Sequence, residues 1–299
     1  MAATRVRKQD LGANVFATPS IALGTAASAG STGQAIQSDA TILAFDATNP
    51  AAETSGAAAV VGVATTAARR DHVHAMPTIL DLIALGLKFD YRRAMLATAP
   101  VGYWRLGLDD IGGAIAADQM GANTGTYVGA PTLGVAGLLT GDPDTAVTFN
   151  GSTQYMHRAG GVGSLSSWSI SLWVNGTAAG FYARLFEAGT DVLDIARQSD
   201  GTIALYDGAG WLVTGLVAAS STIVNIVFTF NGSSLCGYQN GVLTYGPGAR
   251  GRAISGDVWF GSDSGGASNF PGTIDEPAIW DRALSAAEVA TLYAVGALQ

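Results

Sequence analysis

A single cysteine, Cys236, occurs in 299 residues, so no disulfide can form within the chain. It lies in an apolar, strand-like run, where a free thiol is expected to be buried as a small hydrophobe. Charge is scarce: 13% of residues are Asp, Glu, Lys or Arg, against 48% apolar ones. That balance excludes charge-driven disorder and leaves material for a core. No apolar run reaches the ~18 residues of a membrane-spanning helix, so membrane insertion is not expected. Met1–Asp10 carries charge with no apolar stretch behind it, and no secretory signal is expected. Lysine is missing from Pro100 onward, where seven arginines face sixteen acids, whereas residues 1–78 are balanced at five of each sign. The formal net charge of −8 is therefore concentrated in the second part. A surface that acidic repels a phosphate backbone, which excludes nucleic acid as a partner; a neutral sugar or a bound cation fits better.

Glycine is abundant, with 40 residues, and the chain changes texture twice. Residues 1–78 are rich in Ala, Gly, Ser and Thr, and thinly sown with large apolar side chains. Such a segment orders by packing on copies of itself or on a partner rather than around its own core. Residues 79–99 read as a short helical linker, with Leu80, Ile83, Leu87 and Tyr91 at helical spacing and Gly86 weakening it. Residues 100–299 read as strands and turns. Expected strands are 103–106, 146–150, 155–158, 168–174, 184–187, 193–197, 203–206, 212–216, 223–230, 235–239, 242–245, 258–260 and 274–280. Polar and apolar residues alternate through Ser169-Ile170-Ser171-Leu172, as in a strand with one buried face. Asn240-Gly241 predicts a type I′ hairpin. Ser285-Ala286-Ala287-Glu288 predicts a capping box opening a terminal helix with Val289, Leu292 and Tyr293 on its apolar face. The fold class is mainly β: an extended N-terminal segment, a short helical linker and an antiparallel sandwich ending in a helix.

Several blocks, in order, resemble the laminin-G-like, concanavalin-A-like jelly-roll family. They are Ala99-Pro100-Val101-Gly102-Tyr103-Trp104-Arg105-Leu106, the Gly/Asn-rich stretch from Asp118 to Gly129, Ala146 to Ser152, Trp168 to Val174, and Gly272 to Ser285. The N-terminal part resembles segments of tail-fibre and related virion proteins of tailed bacteriophages. The resemblance lies in Ala22 to Ser31, Ser38 to Thr41, Phe45 to Thr48, and above all Ala67-Ala68-Arg69-Arg70-Asp71-His72-Val73-His74-Ala75-Met76-Pro77. Together they imply a homotrimeric fibre, spike or tail-tip protein on the virion. Its N-terminal segment would contact other virion proteins, and its jelly roll would recognise a host-surface glycan. Rival classes are a ligand-free capsid decoration or baseplate component, and a bacterial surface adhesin.

Three sets of residues carry the candidate chemistry. His72 and His74 share a strand face, and three chains on an axis would offer six imidazoles, which suit iron, zinc or nickel; the fibre resemblance implies such a site. The jelly-roll resemblance implies calcium at Asp118, Asn123 and Asp275, between the Gly-rich loop and the closing strand. The alternative for these aspartates is that they tie turns to backbone N–H groups. Tyr182, Tyr206 and Trp211 lie beside Gly-rich turns, where their rings could stack on a sugar. Enzymatic activity is not expected. Hydrolases of this fold carry their carboxylates at alternate positions on one strand, and no such run occurs here. Glu187 and Asp191 are split by Gly189, Asp275 and Glu276 are adjacent and should face opposite ways, and His157 is the only histidine after residue 100.

Overall fold

A computed structural model describes residues 90–107, 110, 113–177 and 180–297. The fibre-like segment 1–78, with His72 and His74, and residues 79–89 of the linker lie outside the described residues. Helix α1 (Tyr91–Ala97) comes first, followed by β1 (Gly102–Tyr103), β2 (Ile115–Ala116), β3 (Gly125–Val128), β4 (Thr132–Ala136), β5 (Thr145–Asn150) and β6 (Tyr155–Arg158). The middle of the chain gives β7 (Trp168–Gly176), β8 (Ala183–Ala188), β9 (Leu193–Arg197), β10 (Thr202–Tyr206) and β11 (Trp211–Val217). The last part gives β12 (Ile223–Phe230), β13 (Leu235–Gln239), β14 (Val242–Gly248), β15 (Val258–Phe260), β16 (Pro271–Trp280) and helix α2 (Ala286–Ala297).

The strands form two antiparallel sheets. The first runs β14-β13-β12-β7-β16-β5-β4, with β1 also on β16; the second runs β11-β10-β9-β8-β15-β6-β3-β2. Every expected strand has a counterpart, but β1 is cut to two residues. Trp104 makes only an isolated bridge, to Asp118, and Leu106 turns to a φ of 56°. Strands β2, β3 and β4 were not expected: exposure alternates along them, but they are short, two of them contain glycine, and β4 is half to fully exposed, so the alternation is too brief and too weakly apolar to stand out in the sequence. Asn240 and Gly241 have φ of 51° and 76° and join β13 to β14, as a type I′ turn requires.

One core fills the space between the sheets, built from alternate residues such as Ile170, Leu172 and Val174 of β7, Phe186 of β8 and Phe260 of β15. A second apolar cluster lies on the other face of the first sheet. There Trp173, Val227 and Trp280 are covered by Tyr91 and Met95 of α1 and by Val289, Leu292 and Val295 of α2. Trp168 and Trp173 are both buried, one in each cluster, because their odd spacing puts them on opposite faces. Cys236 is half-buried beside the second cluster rather than fully interior.

The covering helices are locally specified. Asp90 caps α1 by accepting from Arg93 N. The expected capping box opens α2: Ser285 N donates to Glu288 Oε2 at 2.8 Å and Glu288 N to Ser285 Oγ at 3.3 Å. Trp173 Nε1 donates to Tyr91 Oη at 3.0 Å, which fixes α1 on the sheet. The helices thus occupy the outer face of the first sheet, and the outer face of the second holds the polar and aromatic residues described next.

Candidate functional site

The register of the second sheet aligns one residue from each successive strand. Trp211 pairs with Tyr206, Tyr206 with Asp194, Asp194 with Glu187, Glu187 with Trp259, Trp259 with His157, and His157 with Thr126. Their strand neighbours Leu205, Ile195, Phe186, Phe260, Met156 and Tyr127 belong to the core, so this row faces outward. At ~4.8 Å per strand the row is about 29 Å long.

Its first end is aromatic. The ring of Tyr182, from the loop before β8, stacks on Trp211 with centroids 4.0 Å apart, and Tyr206 lies 5.5 Å from Trp211. The three aromatic residues singled out in the sequence therefore meet in one patch. Phe181, which the sequence reading passed over, adjoins Tyr182 at 6.4 Å and is 76% exposed. Arg184 sits 4.6 Å over the Trp211 ring and donates from Nη1 to Tyr182 O at 2.8 Å. Ala196 and Ala204 pair in register beside Arg184; such small side chains leave the guanidinium room to lie flat.

The middle of the row is acidic. Glu187 and Asp194 are each 1% exposed, and none of their four oxygens makes a well-formed hydrogen bond. Arg184 Nε approaches Asp194 Oδ2 at 3.3 Å. Burial pushes the Asp194 carboxyl up to about 7; Arg184 opposes this, while Glu187, Asp191 and Asp263 add to it. Glu187 is also raised by burial, with Ser264 and Arg184 pulling it back. At the far end His157 stacks on Trp259 at 4.9 Å and its Nε2 is 2.9 Å from Asp257 Oδ2, a packing role on the half-exposed rim.

The residues expected to bind calcium divide between two places. Asp118 and Asn123 come together in one loop. Asp118 Oδ1 accepts from Tyr103 N and Met120 N, and Oδ2 from Ala122 N and Asn123 N. Asn123 Nδ2 donates to Val101 O and its Oδ1 accepts from Arg158. These are turn-tying contacts. Asp275 belongs to another polar cluster, where its Oδ2 accepts from Leu138 N at 2.7 Å. Among the described residues, no group of three or more His, Cys, Asp or Glu side chains is arranged to hold a metal ion.

That second cluster also corrects the expectation that Asp275 and Glu276 face opposite ways. A bulge interrupts β16 after Asp275, and Glu276 takes a φ of 52°, so both carboxyls are buried and both feel the charge of Arg105. Arg105 lies 2.8 Å from Asp142, 3.0 Å from Asp144 and 2.8 Å from Glu276, and Tyr103 Oη donates to Glu276. Burial raises Glu276 well above its ordinary range and Asp275 to about 7. The arrangement clamps β1 and the 137–144 loop onto β16.

Two antiparallel sheets around one core, with helices on one outer face and an aromatic and acidic row on the other, define a jelly-roll sandwich. Residues 149–290, somewhat less than half of the chain, match the family model of the Concanavalin A-like lectin/glucanases superfamily, to which this part of the chain is similar. Among solved structures it is similar to domain 4 of AbnA, a GH43 extracellular arabinanase from Geobacillus stearothermophilus, in complex with arabinotriose. The two are 19% identical at a TM-score of 0.50, over 65% of this chain and 98% of that one. It is also similar to the binding domain of Paraclostridial Mosquitocidal Protein 1 (17% identity, TM-score 0.52, 66% of this chain and 52% of that one). A Trypanosoma rangeli sialidase matches at 14% identity and a TM-score of 0.51, over 66% of this chain but only 32% of the sialidase. These likenesses establish the fold. No curated protein matches the sequence.

Proposed function

We propose that the jelly roll is a non-catalytic carbohydrate-binding domain whose contact surface is the aromatic end of the second sheet, carried by the N-terminal segment on a tailed-phage virion. The observation that carries the sugar reading is the gathering of Tyr182, Tyr206 and Trp211 into one patch beside the exposed Phe181. Flat rings next to fixed polar groups are what pyranose and furanose faces stack on. The fold shared with a domain seen holding arabinotriose and with a toxin's binding domain supports it. The burial of the two cross-strand carboxyls supports a binding rather than a hydrolytic reading. Glycoside hydrolysis needs two carboxyl groups flanking the scissile bond, and Glu187 and Asp194 are 1% exposed each.

The virion assignment rests on the order of segments in residues 22–77, ending in Asp71-His72-Val73-His74. Three copies joined through that segment would turn weak single-site binding into avidity.

Titration calorimetry with a panel of neutral trisaccharides, arabinotriose included, tests the sugar reading. Trp211→Ala is expected to weaken the best ligand at least tenfold while leaving thermal unfolding within a few degrees of the parent. Absence of binding to every glycan offered would overturn it. Mass spectrometry of purified particles tests the virion role, and light scattering with metal analysis tests for a trimer holding one transition metal ion per three chains at His72 and His74.

A further inference from the structure

Strand β8 is irregular near its start. Arg184 pairs with Ala196, Phe186 with Ile195 and Glu187 with Asp194, and the register slips between Arg184 and Phe186. Leu185 and Phe186, neighbours in the chain, therefore both enter the core, and Arg184 lies on the outward face with Glu187. In an unbroken strand residues three apart take opposite faces, and Arg184 would point inward. A bulge that re-aims one side chain in this way is a built feature, common beside functional sites.

The redirected guanidinium joins three separate elements. Nη1 donates to Tyr182 O at 2.8 Å in the loop before β8. Cζ lies 4.6 Å over the ring of Trp211 on β11, and Nε is 3.3 Å from Asp194 Oδ2 on β9. The backbone is fixed as well, since Arg184 N donates to Ser268 O at 2.8 Å. The two rings it joins have weak support of their own. Tyr182 takes a φ of 56°, a left-handed conformation that a bulky residue keeps only when its surroundings impose it. Trp211 opens β11, the last strand of its sheet, which pairs with β10 alone.

We infer that Arg184 is the positioning residue of the carbohydrate patch: it sets Tyr182 against Trp211 as one flat surface for a sugar, and Asp194 holds it there. The inference rests on the carbohydrate reading above and adds a regulation of that site. The Arg184 side chain is 11% exposed, so it acts through the two rings. Asp194 faces Arg184 and Glu187 from β8, Asp191 and Asp263 from the flanking loops, and Tyr206 across the β9–β10 pair. Burial keeps its carboxyl protonated up to about pH 7. Protonated, it offers the guanidinium a neutral acceptor; ionised, it makes the stronger ion pair. A neutral sugar, which does not itself titrate in this range, is therefore bound more tightly as the pH rises through neutrality.

The test uses the full chain and titration calorimetry with the trisaccharide panel at pH 5.5 and 8.5. The parent is expected to bind its best neutral sugar about threefold or more tightly at the higher pH. Asp194→Asn, which keeps the shape of the side chain, is expected to show the weaker affinity at both. Arg184→Met keeps the stem and Arg184→Lys the charge, but neither can span Tyr182 O, Trp211 and Asp194, and each is expected to weaken binding about tenfold or more. Acrylamide quenching reads the rings directly, because Trp211 is half-buried and the other five tryptophans are 8% exposed or less; quenching is expected to rise in both Arg184 variants. If those variants do not fold, Asp194→Asn carries the test. A parent with equal affinity at both pH values, an Asp194→Asn chain that keeps the parent's pH dependence, or a folded Arg184→Met that binds within about twofold of the parent would overturn the positioning role and leave the carbohydrate reading in place. No binding of any sugar by the parent at either pH would overturn both.

Discussion

Acidic carboxyls whose burial outweighs the charges that face them make an unusual prediction for stability against pH. Asp194 and Asp275 are 1% and 3% exposed, and burial lifts each from an ordinary 3.8 to about 7. Between those values the native state keeps protons that the unfolded chain has released, so stability falls as the pH rises from about 4 to 7 and levels off above. At 1.36 kcal/mol per pH unit the full effect is roughly 4 kcal/mol for each group. Glu276, also raised by burial, adds in the same direction. Such a sum rivals the whole ~5–15 kcal/mol stability of a domain, and local relaxation and water entry soften it. A net loss of about 3 kcal/mol or more is therefore expected. Urea unfolding followed by tryptophan fluorescence at pH 5, 6, 7 and 8 measures it. The midpoint should move to lower urea from pH 5 to 7 and change little from 7 to 8, and Asp194→Asn with Asp275→Asn should flatten the trend. The limit on the acid side comes from Glu288 and Asp207. Arg282 holds the first and Arg250 the second at about 2, so their contributions fade as pH drops below about 4. Stability that is level or rising from pH 5 to 8, or a double variant that keeps the parent's slope, would refute the reasoning.

Three further outcomes follow from the packing. Arg105→Met should cost about 3–5 kcal/mol, because it strands Glu276, Asp142 and Asp144 without their cation; adding Glu276→Gln should recover part of that loss in the same denaturation assay. Ser285→Ala removes the capping box of α2 and should cost about 1 kcal/mol, read as a small shift in urea midpoint with an unchanged slope. Trp173→Ala empties the space between the first sheet, Tyr91 and Tyr293 and should destabilise by about 3–5 kcal/mol, with α1 losing amide-exchange protection before the strands do.

Period-two alternation and turn residues were enough to place most of the sandwich strands, the Asn240-Gly241 hairpin and the α2 cap, because each depends on neighbours a few residues away. Strands β2, β3 and β4 did not stand out, since their alternation is brief, weakly apolar and in two of them interrupted by glycine. The aromatic patch was half legible: Tyr182, Tyr206 and Trp211 could be named from their setting beside turns, but not their meeting. That needed the register of β10 against β11 and the approach of the 180–183 loop.

What the sequence determined alone was composition and period: an acidic, mainly β chain with a low-complexity beginning, an antiparallel sandwich and a capped final helix. What only the tertiary structure decided was which residues share a row. Glu187 and Asp194, seven positions apart, become cross-strand partners because β8 and β9 pair in that register. The adjacent Asp275 and Glu276 gather near one arginine because a bulge breaks the strand's two-residue period. Pairing partners and bulges are set by contacts between distant segments, and a one-residue change of register would send every side chain of a strand to the other face.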